Sequence, residues 1–365
     1  MSTMAEIVHQ YGAAYREKFS DRLLPSHRRT LRDMAQCRTA AFGGHVYYCT
    51  TCDETHYQYH SCQNQHCPQC QHNAAQQWLD KQQASLLPAP YFMVTFTLPA
   101  GLRDVARRNQ QAVYNLLFRA SAAALQKLAW DPRFVGGQIG LVGVLHTWGR
   151  NLSYHPHVHY LVPAGGLSAD GQQWLTARHN FLVPVKALSR LFRAKFCDGL
   201  KKIDLFAQAP SEIWQQDWVV HCQSVGRGQA ALKYLAPYIF RVAISNRRII
   251  RAAAGKVTFR YRASDTGRFR TCTLSAEEFL RRFLQHVLPK GFVKVRYYGL
   301  FSPARSHQLA VIRLWLDMSE PEAVPTDSAN GCVDSVTSER DVLCPTCGQL
   351  MQLVLTFRPR PRCPP

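Results

Sequence analysis

The feature that most constrains the fold of this chain is a run of three histidines in the sequence YHPHVHYLVP, residues 154–163. His155, His157 and His159 are each separated by one residue, and the residues between and after them are mostly apolar. Because successive side chains of a β-strand point to opposite faces, a strand would align the three imidazoles on one face. We therefore predict a β-strand with a histidine face and an apolar face over this stretch.

A second strand is predicted directly upstream, in the sequence IGLVGVLHTW at residues 139–148. A hairpin with its turn near residues 148–154 would bring His146 beside the histidine strand. A cluster of neutral imidazoles is costly to bury without a partner, and protonated imidazoles repel one another. A bound divalent metal resolves both problems, so the pattern indicates a metal site, with satisfied core histidines as the alternative.

The charge of the chain indicates a polyanionic partner. Its 365 residues include 44 Lys and Arg against 24 Asp and Glu, a formal net charge of +20, which makes nucleic acid the first candidate. A membrane surface is the rival, but the basic residues are spread along the chain, and no run of about 18 apolar residues predicts a membrane span. The polar N-terminus does not resemble a secretory signal, so we expect a reducing cytoplasmic location in association with the nucleoid.

The pattern along the chain predicts the α+β class with an antiparallel sheet. Hydrophobic residues make up 46% of the chain, which is enough for a sizeable core. Helices are predicted over 72–87, 102–129, 186–206 and 276–288, and further strands at about 91–101, 242–250 and 256–262. We expect an N-terminal helix and zinc-binding domain at 1–88, a catalytic domain at 89–317, and a flexible linker with a C-terminal tail at 318–365.

Six of the 13 cysteines lie within residues 37–70. Cys49 and Cys52 form one C-x-x-C pair, and Cys67 and Cys70 form another. Each such turn sets two thiolates on one side of a tight loop, and two turns can complete the tetrahedron that zinc prefers. We therefore predict one structural zinc site made of these four cysteines, with buried free thiols or a redox pair as alternatives.

The remaining cysteines of this region leave two possibilities open. Cys37, Cys62, His60 and His66 could form a second zinc site or could simply pack in the core. Near the C-terminus, Cys344 and Cys347 form half of a further site, which Cys332 and Cys363 could complete. An unligated pair in a mobile tail is the alternative.

Two tyrosines, Tyr234 and Tyr238, lie four positions apart in the sequence KYLAPYIFR. On a helix both phenols would share one face, although Pro237 would kink that helix. A metal site, a tyrosine pair and a basic chain together indicate phosphodiester chemistry, in which a tyrosine oxygen attacks the phosphate and a 3′-hydroxyl departs. Core packing of two aromatic side chains is the alternative.

The segment His157-Val158-His159 resembles the His-hydrophobic-His signature of the HUH endonucleases, which include rolling-circle replication initiators, relaxases and some transposases. The chain is most similar to one branch, the two-tyrosine rolling-circle insertion-sequence transposases. Four segments between about residues 37 and 300 support the likeness: YHSCQNQHCPQC, LHTWGRNLSYHPHVHYLVPAGG, KYLAPYIFRVAISNRRI and RFLQHVLPKGFVKVRYYGL.

The resemblance implies an antiparallel-sheet HUH nuclease domain with packed helices, preceded by a small zinc-binding domain. His157 and His159 match the ligands of a catalytic Mg²⁺ or Mn²⁺, and His155 and His146 are the candidates for a third ligand. The tyrosine pair matches the nucleophile positions. The implied activity is cleavage of single-stranded DNA at insertion-sequence ends through a 5′-phosphotyrosine, followed by strand transfer to target DNA.

Further expectations follow for the metal and the DNA. Imidazole suits Mn²⁺ better than Mg²⁺, which prefers oxygen ligands. Four arginines downstream of the tyrosines are expected to contact the DNA backbone, with an ordinary solvated face as the alternative: Arg241, Arg247, Arg248 and Arg251. The alternative functions are a zinc-containing DNA-binding protein without catalysis, a replication initiator or relaxase, and a small-molecule metallohydrolase. The zinc-rich N-terminus favours the transposase, and the sequence leaves the oligomeric state open.

Overall fold

The computed structural model describes residues 2–70, 86–178, 180–227, 242–263, 266–319 and 342–358. Within these residues the helices are α1 Met4–Lys18, α2 Pro25–Ala35, α3 Arg103–Arg108, α4 Gln110–Ala129, α5 Val185–Lys201, α6 Ala276–Leu284 and α7 Ser306–Ser319. The strands are β1 Gly44–Cys49, β2 Glu54–Tyr59, β3 Pro90–Thr97, β4 Gly140–Trp148, β5 Tyr154–Pro163, β6 Gly165–Leu167, β7 Trp174–Thr176, β8 Val220–Arg227, β9 Ile249–Ala253, β10 Lys256–Arg262, β11 Phe269–Ser275, β12 Val295–Gly299 and β13 Gln352–Phe357. The expected α+β class is confirmed.

The central sheet has five strands in the order β12-β4-β5-β3-β8, and all neighbours are antiparallel. One face packs against α4 and α5 to form the largest hydrophobic core. The opposite face contributes a smaller apolar cluster that includes Leu161. Because side chains alternate along a strand, His157 and His159 lie on the same face as Leu161, toward the N-terminal end of β5.

A second sheet contains β9, β10 and β11, with β10 in the centre. One side of this sheet packs against α6 and the N-terminal helices, and Ile7, Val257 and Phe279 are completely buried in one shared cluster. The domain boundary at residue 88 stays a prediction, and the N-terminal helices pack across it. The N-terminal helices bury their apolar stripe against elements that the sequence assigned to the catalytic domain, because an amphipathic helix needs such a surface.

The third sheet joins the two ends of the chain, in the order β13-β1-β2. Gly44 of β1 lies opposite Phe357 of β13 on one side and opposite Tyr59 of β2 on the other. Within the segment that the sequence predicts as a C-terminal tail, Gln352–Phe357 therefore forms a strand of this sheet. The strand β13 satisfies backbone groups along an edge of β1 that would otherwise remain unpaired.

Other expected elements have mixed outcomes. The strand at β3 and the hairpin of β4 and β5 are confirmed, whereas the helix expected over 102–129 is two helices that break at Asn109. Residues 242–248 contain no strand, and β11 is not predicted by the sequence pattern. The helix expected over 72–87 lies almost wholly outside the described residues. Among the helices that the structure describes, none is long and apolar enough to cross a membrane.

Candidate metal centre

Three histidines meet where β4 and β5 pair. His146 lies directly opposite His157 in the antiparallel register, and His159 follows two residues later on the same face. The ring centroid of His146 lies 5.4 Å from that of His157 and 5.0 Å from that of His159. One nitrogen from each ring lies within 4.8 Å of the others, a separation at which one ion can contact all three.

Hydrogen bonds on the far side of the rings orient two of these imidazoles. The Nδ1 of His157 lies 2.6 Å from the carbonyl oxygen of His155, and because a carbonyl can only accept, this Nδ1 is the protonated nitrogen. The ligating lone pair of His157 is therefore on Nε2. The Nδ1 of His159 bonds the hydroxyl of Thr95 on the neighbouring strand β3, at 2.8 Å. Such outer partners fix the orientation of metal-binding histidines.

The structure distinguishes the two candidates for the third ligand of the metal, His146 and His155. His155 lines the same pocket but is not one of the three clustered histidines. Its Nδ1 accepts a hydrogen bond from the guanidinium of Arg103, at 3.1 Å. Burial, with a smaller contribution from Arg103, lowers the pKa of His155, so the ring is neutral at pH 7. The geometry favours His146 over His155 because the hairpin register, unlike sequence spacing, places His146 opposite His157.

The histidines lie at the base of a cavity of about 480 Å³. None of its described lining residues is acidic, and the basic side chains of Arg150 and Arg262 line it together with the ring of Tyr261. A pocket of imidazoles and guanidinium groups favours an anionic ligand such as a phosphate. Nothing in the sequence pattern predicts that these three residues line the histidine pocket. Arg150 lies in a turn, and Tyr261 and Arg262 belong to β10 of another sheet.

A buried histidine outside the cluster supports the hairpin. The Nδ1 of His286 lies 3.2 Å from the hydroxyl of Thr147, and its Nε2 lies 3.3 Å from the carbonyl oxygen of Leu152 in the turn. Burial lowers the pKa of His286 to about 4, so the ring is neutral at pH 7. The register of the hairpin shifts between His146 and Trp148, and the Trp148 ring stacks on His146 with centroids 4.7 Å apart. The family-like segment RFLQHVLPKGF contains His286, but nothing in its spacing predicts this role.

The candidate nucleophiles Tyr234 and Tyr238 lie outside the described residues, as does Arg241. The chain leaves the central sheet at Arg227, the end of β8, and is described again from residue 242. Ile244 then joins the hydrophobic cluster that also contains Leu152 of the hairpin turn. The described chain after residue 241 therefore begins in the cluster that supports the histidine hairpin.

The predicted DNA-contacting arginines differ in their surroundings. Arg247 and Arg251 are exposed. Arg248 instead donates to the backbone carbonyl oxygens of Arg260, at 3.0 Å, and of Arg150. Its guanidinium holds the turn of the histidine hairpin against β10, and its expected contact with DNA stays a prediction.

Eight of the described cysteines form two clusters of four, and the structure does not bring Cys49 and Cys52 together with Cys67 and Cys70 as the sequence predicted. The first cluster contains Cys37, Cys62, Cys67 and Cys70. Its sulfur atoms lie 3.5 Å apart for Cys37 and Cys70, 3.5 Å for Cys62 and Cys70, and 3.7 Å for Cys67 and Cys37. The physical reason is that α2 ends just before Cys37 and packs beside the second C-x-x-C turn, whereas β1 directs the first turn elsewhere.

The other predicted ligand of this region has a different partner. His66 is not part of the four-cysteine cluster, and its Nε2 accepts a hydrogen bond from the backbone N–H of Leu288, at 3.2 Å. Burial lowers the pKa of His66 to about 3, so the ring is neutral when it accepts this bond. The second cluster contains Cys49, Cys52, Cys344 and Cys347, so it joins the N-terminal hairpin to the C-terminal segment.

The fold and the sites define an α+β protein with a three-histidine candidate metal centre and two clusters of four cysteines. A family described as "Transposase zinc-binding domain" matches residues 7–98, and one described as "Putative transposase" matches residues 140–308. The first match contains the whole Cys37, Cys62, Cys67 and Cys70 cluster. The match to a zinc-binding domain and the close approach of these four cysteines both support a structural zinc site.

Two relatives extend the comparison over nearly the whole chain. "Putative transposase y4qJ" of Sinorhizobium fredii (strain NBRC 101917 / NGR234) is 40% identical over 95% of this chain and 93% of its own length. "Transposase for insertion sequence element IS801" of Pseudomonas savastanoi pv. phaseolicola is 28% identical over 75% of this chain and 70% of its own length. The chain belongs to this family of putative transposases.

Proposed function

We propose that the chain is a transposase of the HUH type, which nicks single-stranded DNA at insertion-sequence ends and transfers the strands in rolling-circle transposition. The observation that supports this most directly is the cluster of His146, His157 and His159 on paired strands of the central sheet. The chain belongs to a family of transposases, and its three imidazoles lie in a basic pocket that suits a phosphate. Together these features favour metal-assisted cleavage of a phosphodiester bond.

The donor set indicates which metal the centre suits. Three imidazoles without a carboxylate among the described pocket residues fit Mn²⁺ better than Mg²⁺, because Mg²⁺ prefers oxygen ligands. A divalent ion bound there would polarise the scissile phosphate. The outer hydrogen bonds of His157 and His159 hold the rings so that the ligating nitrogens converge before metal binds.

The covalent step is assigned to the tyrosine pair. The phenol of Tyr234 or Tyr238 loses its proton as its oxygen forms a bond to the phosphorus, the bond from that phosphorus to the 3′-oxygen breaks, and the departing 3′-oxygen takes up a proton, so that protons balance. The product is a 5′-phosphotyrosine that conserves the energy of the phosphodiester. Attack by a released 3′-hydroxyl on this linkage rejoins DNA and regenerates the tyrosine.

The outer side of β9, β10 and β11 is the proposed path for the DNA strand. Alternation places one set of side chains on this side, here called the basic face: Arg251, Lys256, Arg260, Arg262 and Phe269. The described residues of these strands include no acidic side chain, and Phe269 is 72% exposed. Arg262 belongs to both the basic face and the histidine pocket, so the two surfaces are continuous. Cations with an exposed aromatic ring suit the phosphates and unpaired bases of a single strand.

The proposal is tested with labelled single-stranded DNA that contains the terminal sequence of the element. Wild-type protein and Mn²⁺ are expected to give a covalent protein–DNA band on a denaturing gel. The His157→Ala/His159→Ala variant should give no band, and the Tyr234→Phe and Tyr238→Phe variants should identify the first nucleophile. His307→Ala, outside the cluster, is the matched control and should retain the band.

Two other outcomes would favour different functions. Binding of this DNA by wild type without an adduct under any divalent metal would favour a DNA-binding protein without catalysis. Cleavage that persists in the Tyr234→Phe/Tyr238→Phe double variant would contradict the covalent mechanism.

A further inference from the structure

The C-terminal C-x-x-C pair has the same local geometry as the first N-terminal pair. In each turn, the residue after the second cysteine has a positive φ, which is +54° for Asp53 and +74° for Gly348. The backbone N–H of Gly348 donates to the carbonyl oxygen of Cys344, at 2.8 Å, and closes the C-terminal turn. Glycine adopts this conformation without steric cost, and aspartate is one of the residues that tolerate it. Both turns are therefore shaped to direct two thiol groups to one side.

Strand pairing brings these two turns together. β13 pairs with β1 from Gly44 to Tyr48, Cys49 is the last residue of β1, and Cys52 lies in the turn that follows. On the other chain segment, the backbone N–H of Met351 donates to the carbonyl oxygen of Val342, at 2.8 Å, so the loop with the C-terminal pair folds back onto itself. The four cysteines reach one point although almost 300 residues separate the two pairs.

The spacing of the sulfur atoms fits a tetrahedral zinc ion. The Sγ atoms of Cys49 and Cys347 lie 3.6 Å apart, and all four sulfurs lie within 4.8 Å of one another. A zinc ion with bonds of about 2.3 Å to four thiolates places the sulfurs about 3.8 Å apart. A disulfide would require about 2.05 Å. Cys49 and Cys344 are buried with Met351, which provides a dry apolar wall of the kind that surrounds structural metal sites.

We propose that Cys49, Cys52, Cys344 and Cys347 bind a second structural zinc ion, which fastens the C-terminal strand β13 to the N-terminal hairpin. This site is separate from the Cys37 cluster, and half of its ligands lie beyond both family matches. Glu54 and His56 also lie near Cys344, but two oxygen or nitrogen donors with one thiolate are a poorer zinc set than four thiolates. The hydroxyl of Thr346 donates to Glu54, at 2.8 Å, so this carboxylate supports the C-terminal turn.

The zinc content of the purified full-length chain tests the proposal, and it does so without DNA or transposition activity. In a His157→Ala/His159→Ala background, which removes two ligands of the histidine centre, the chain should hold two zinc ions, and the further change Cys344→Ser/Cys347→Ser should leave one. In the same background Cys347→His keeps four ligands and should hold two. The matched control is Cys197→Ser/Cys222→Ser, which removes two cysteines outside both clusters and should also hold two.

Hydrogen exchange gives a second readout on the same proteins. In Cys344→Ser/Cys347→Ser the backbone amides of residues 352–357 should lose protection, whereas those of β4 and β5 should keep it. In the His157→Ala/His159→Ala background, one zinc ion with all cysteines present, or two after Cys344→Ser/Cys347→Ser, would overturn the proposal. If the double variant does not fold, cobalt titration of the metal-free wild type decides. Thiolate–cobalt absorbance should saturate at two equivalents per chain, and saturation at one would overturn it.

Discussion

At the scale of single residues, the candidate metal centre depends on atoms that are not themselves ligands. The Thr95 hydroxyl orients His159 from the neighbouring strand, and the carbonyl oxygen of His155 orients His157. Sequence alternation predicts that His155, His157 and His159 share a face, and they do line one pocket. Alternation alone could not identify the third metal ligand, because the choice of His146 depends on the register of the hairpin.

The first prediction concerns Thr95. Thr95→Val keeps the shape of the side chain but removes the hydrogen bond to His159, so Mn²⁺ affinity should fall about 10- to 100-fold. Isothermal titration of Mn²⁺ measures the change. Thr258→Val is the matched control, because its hydroxyl bonds Thr273 in another sheet at 2.8 Å. Equal losses in both variants would contradict a specific role for Thr95.

The second prediction concerns pH and His286. Its pKa is about 4 in the folded chain and about 6.5 in the unfolded chain, because burial disfavours the charged ring. Between these values the unfolded chain binds more protons, so stability decreases as the pH falls from about 6.5 to about 4. Relative to His286→Gln, the wild-type free energy of unfolding should fall by up to about 3 kcal/mol over this window.

Chemical denaturation at a series of pH values measures this difference. His27 and His66 also have lowered pKa values through burial, so the comparison must be between variants and not between pH values alone. The exposed His9 provides the control, and His9→Gln should follow the wild-type curve. A His286→Gln curve parallel to that of wild type would contradict the assignment.

At the scale of elements, contact between α4 and α5 supports one face of the central sheet. Gly199 of α5 lies so close to Leu116 of α4 that an added Cβ would be 2.0 Å from a Leu116 methyl carbon. Glycine in a helix normally costs about 1 kcal/mol relative to alanine. In Gly199→Ala the clash should outweigh the gain in helix propensity, because Leu116 is 3% exposed and packed in the main core.

The third prediction follows from this contact. Gly199→Ala should lower the free energy of unfolding by about 1–3 kcal/mol, measured by chemical denaturation. Gly12→Ala in α1 is the matched control, since its added Cβ would lie 3.2 Å from the nearest atom, a Val8 methyl carbon. Its effect should be clearly smaller. A stabilising Gly199→Ala substitution would contradict the packing described for α4 and α5.

The elements that sequence predicts well are those whose pattern is local. The hairpin of β4 and β5 follows from alternation and a short turn, and its strands agree with expectation. The pairing of β1 with β13 could not be predicted, because the exposed strand Gln352–Phe357 has no clear buried face to set its register. The grouping of the cysteines could not be predicted either, because C-x-x-C spacing defines each turn but not which turns meet.

At the scale of the whole molecule, the net charge of +20 is expected to dominate the affinity for DNA. The fourth prediction is that Arg251→Ala/Arg260→Ala, on the basic face, weakens binding and reduces its salt dependence. Each lost phosphate contact should lower the slope of log K against log salt by about 0.7 for a single strand. Fluorescence anisotropy with single-stranded DNA at several salt concentrations measures this slope.

A control of equal charge separates the basic face from the overall charge. Arg22→Ala/Arg133→Ala removes two exposed arginines that pair with Asp21 and Asp131 and lie outside the basic face. Its slope should change much less than that of the basic-face variant. Equal changes would indicate that total charge alone, and not this surface, determines DNA binding.

The covalent link between protein and DNA tests most directly the proposal that a tyrosine cleaves DNA with the help of the histidine metal centre. Wild-type protein would be incubated with Mn²⁺ and single-stranded element ends, digested with protease and nuclease, and analysed by mass spectrometry. We expect a nucleotide attached through a 5′-phosphate to a peptide that contains Tyr234 or Tyr238, and no such peptide from the His157→Ala/His159→Ala variant. A nucleotide on any other residue, or the same adduct without the histidines, would contradict it.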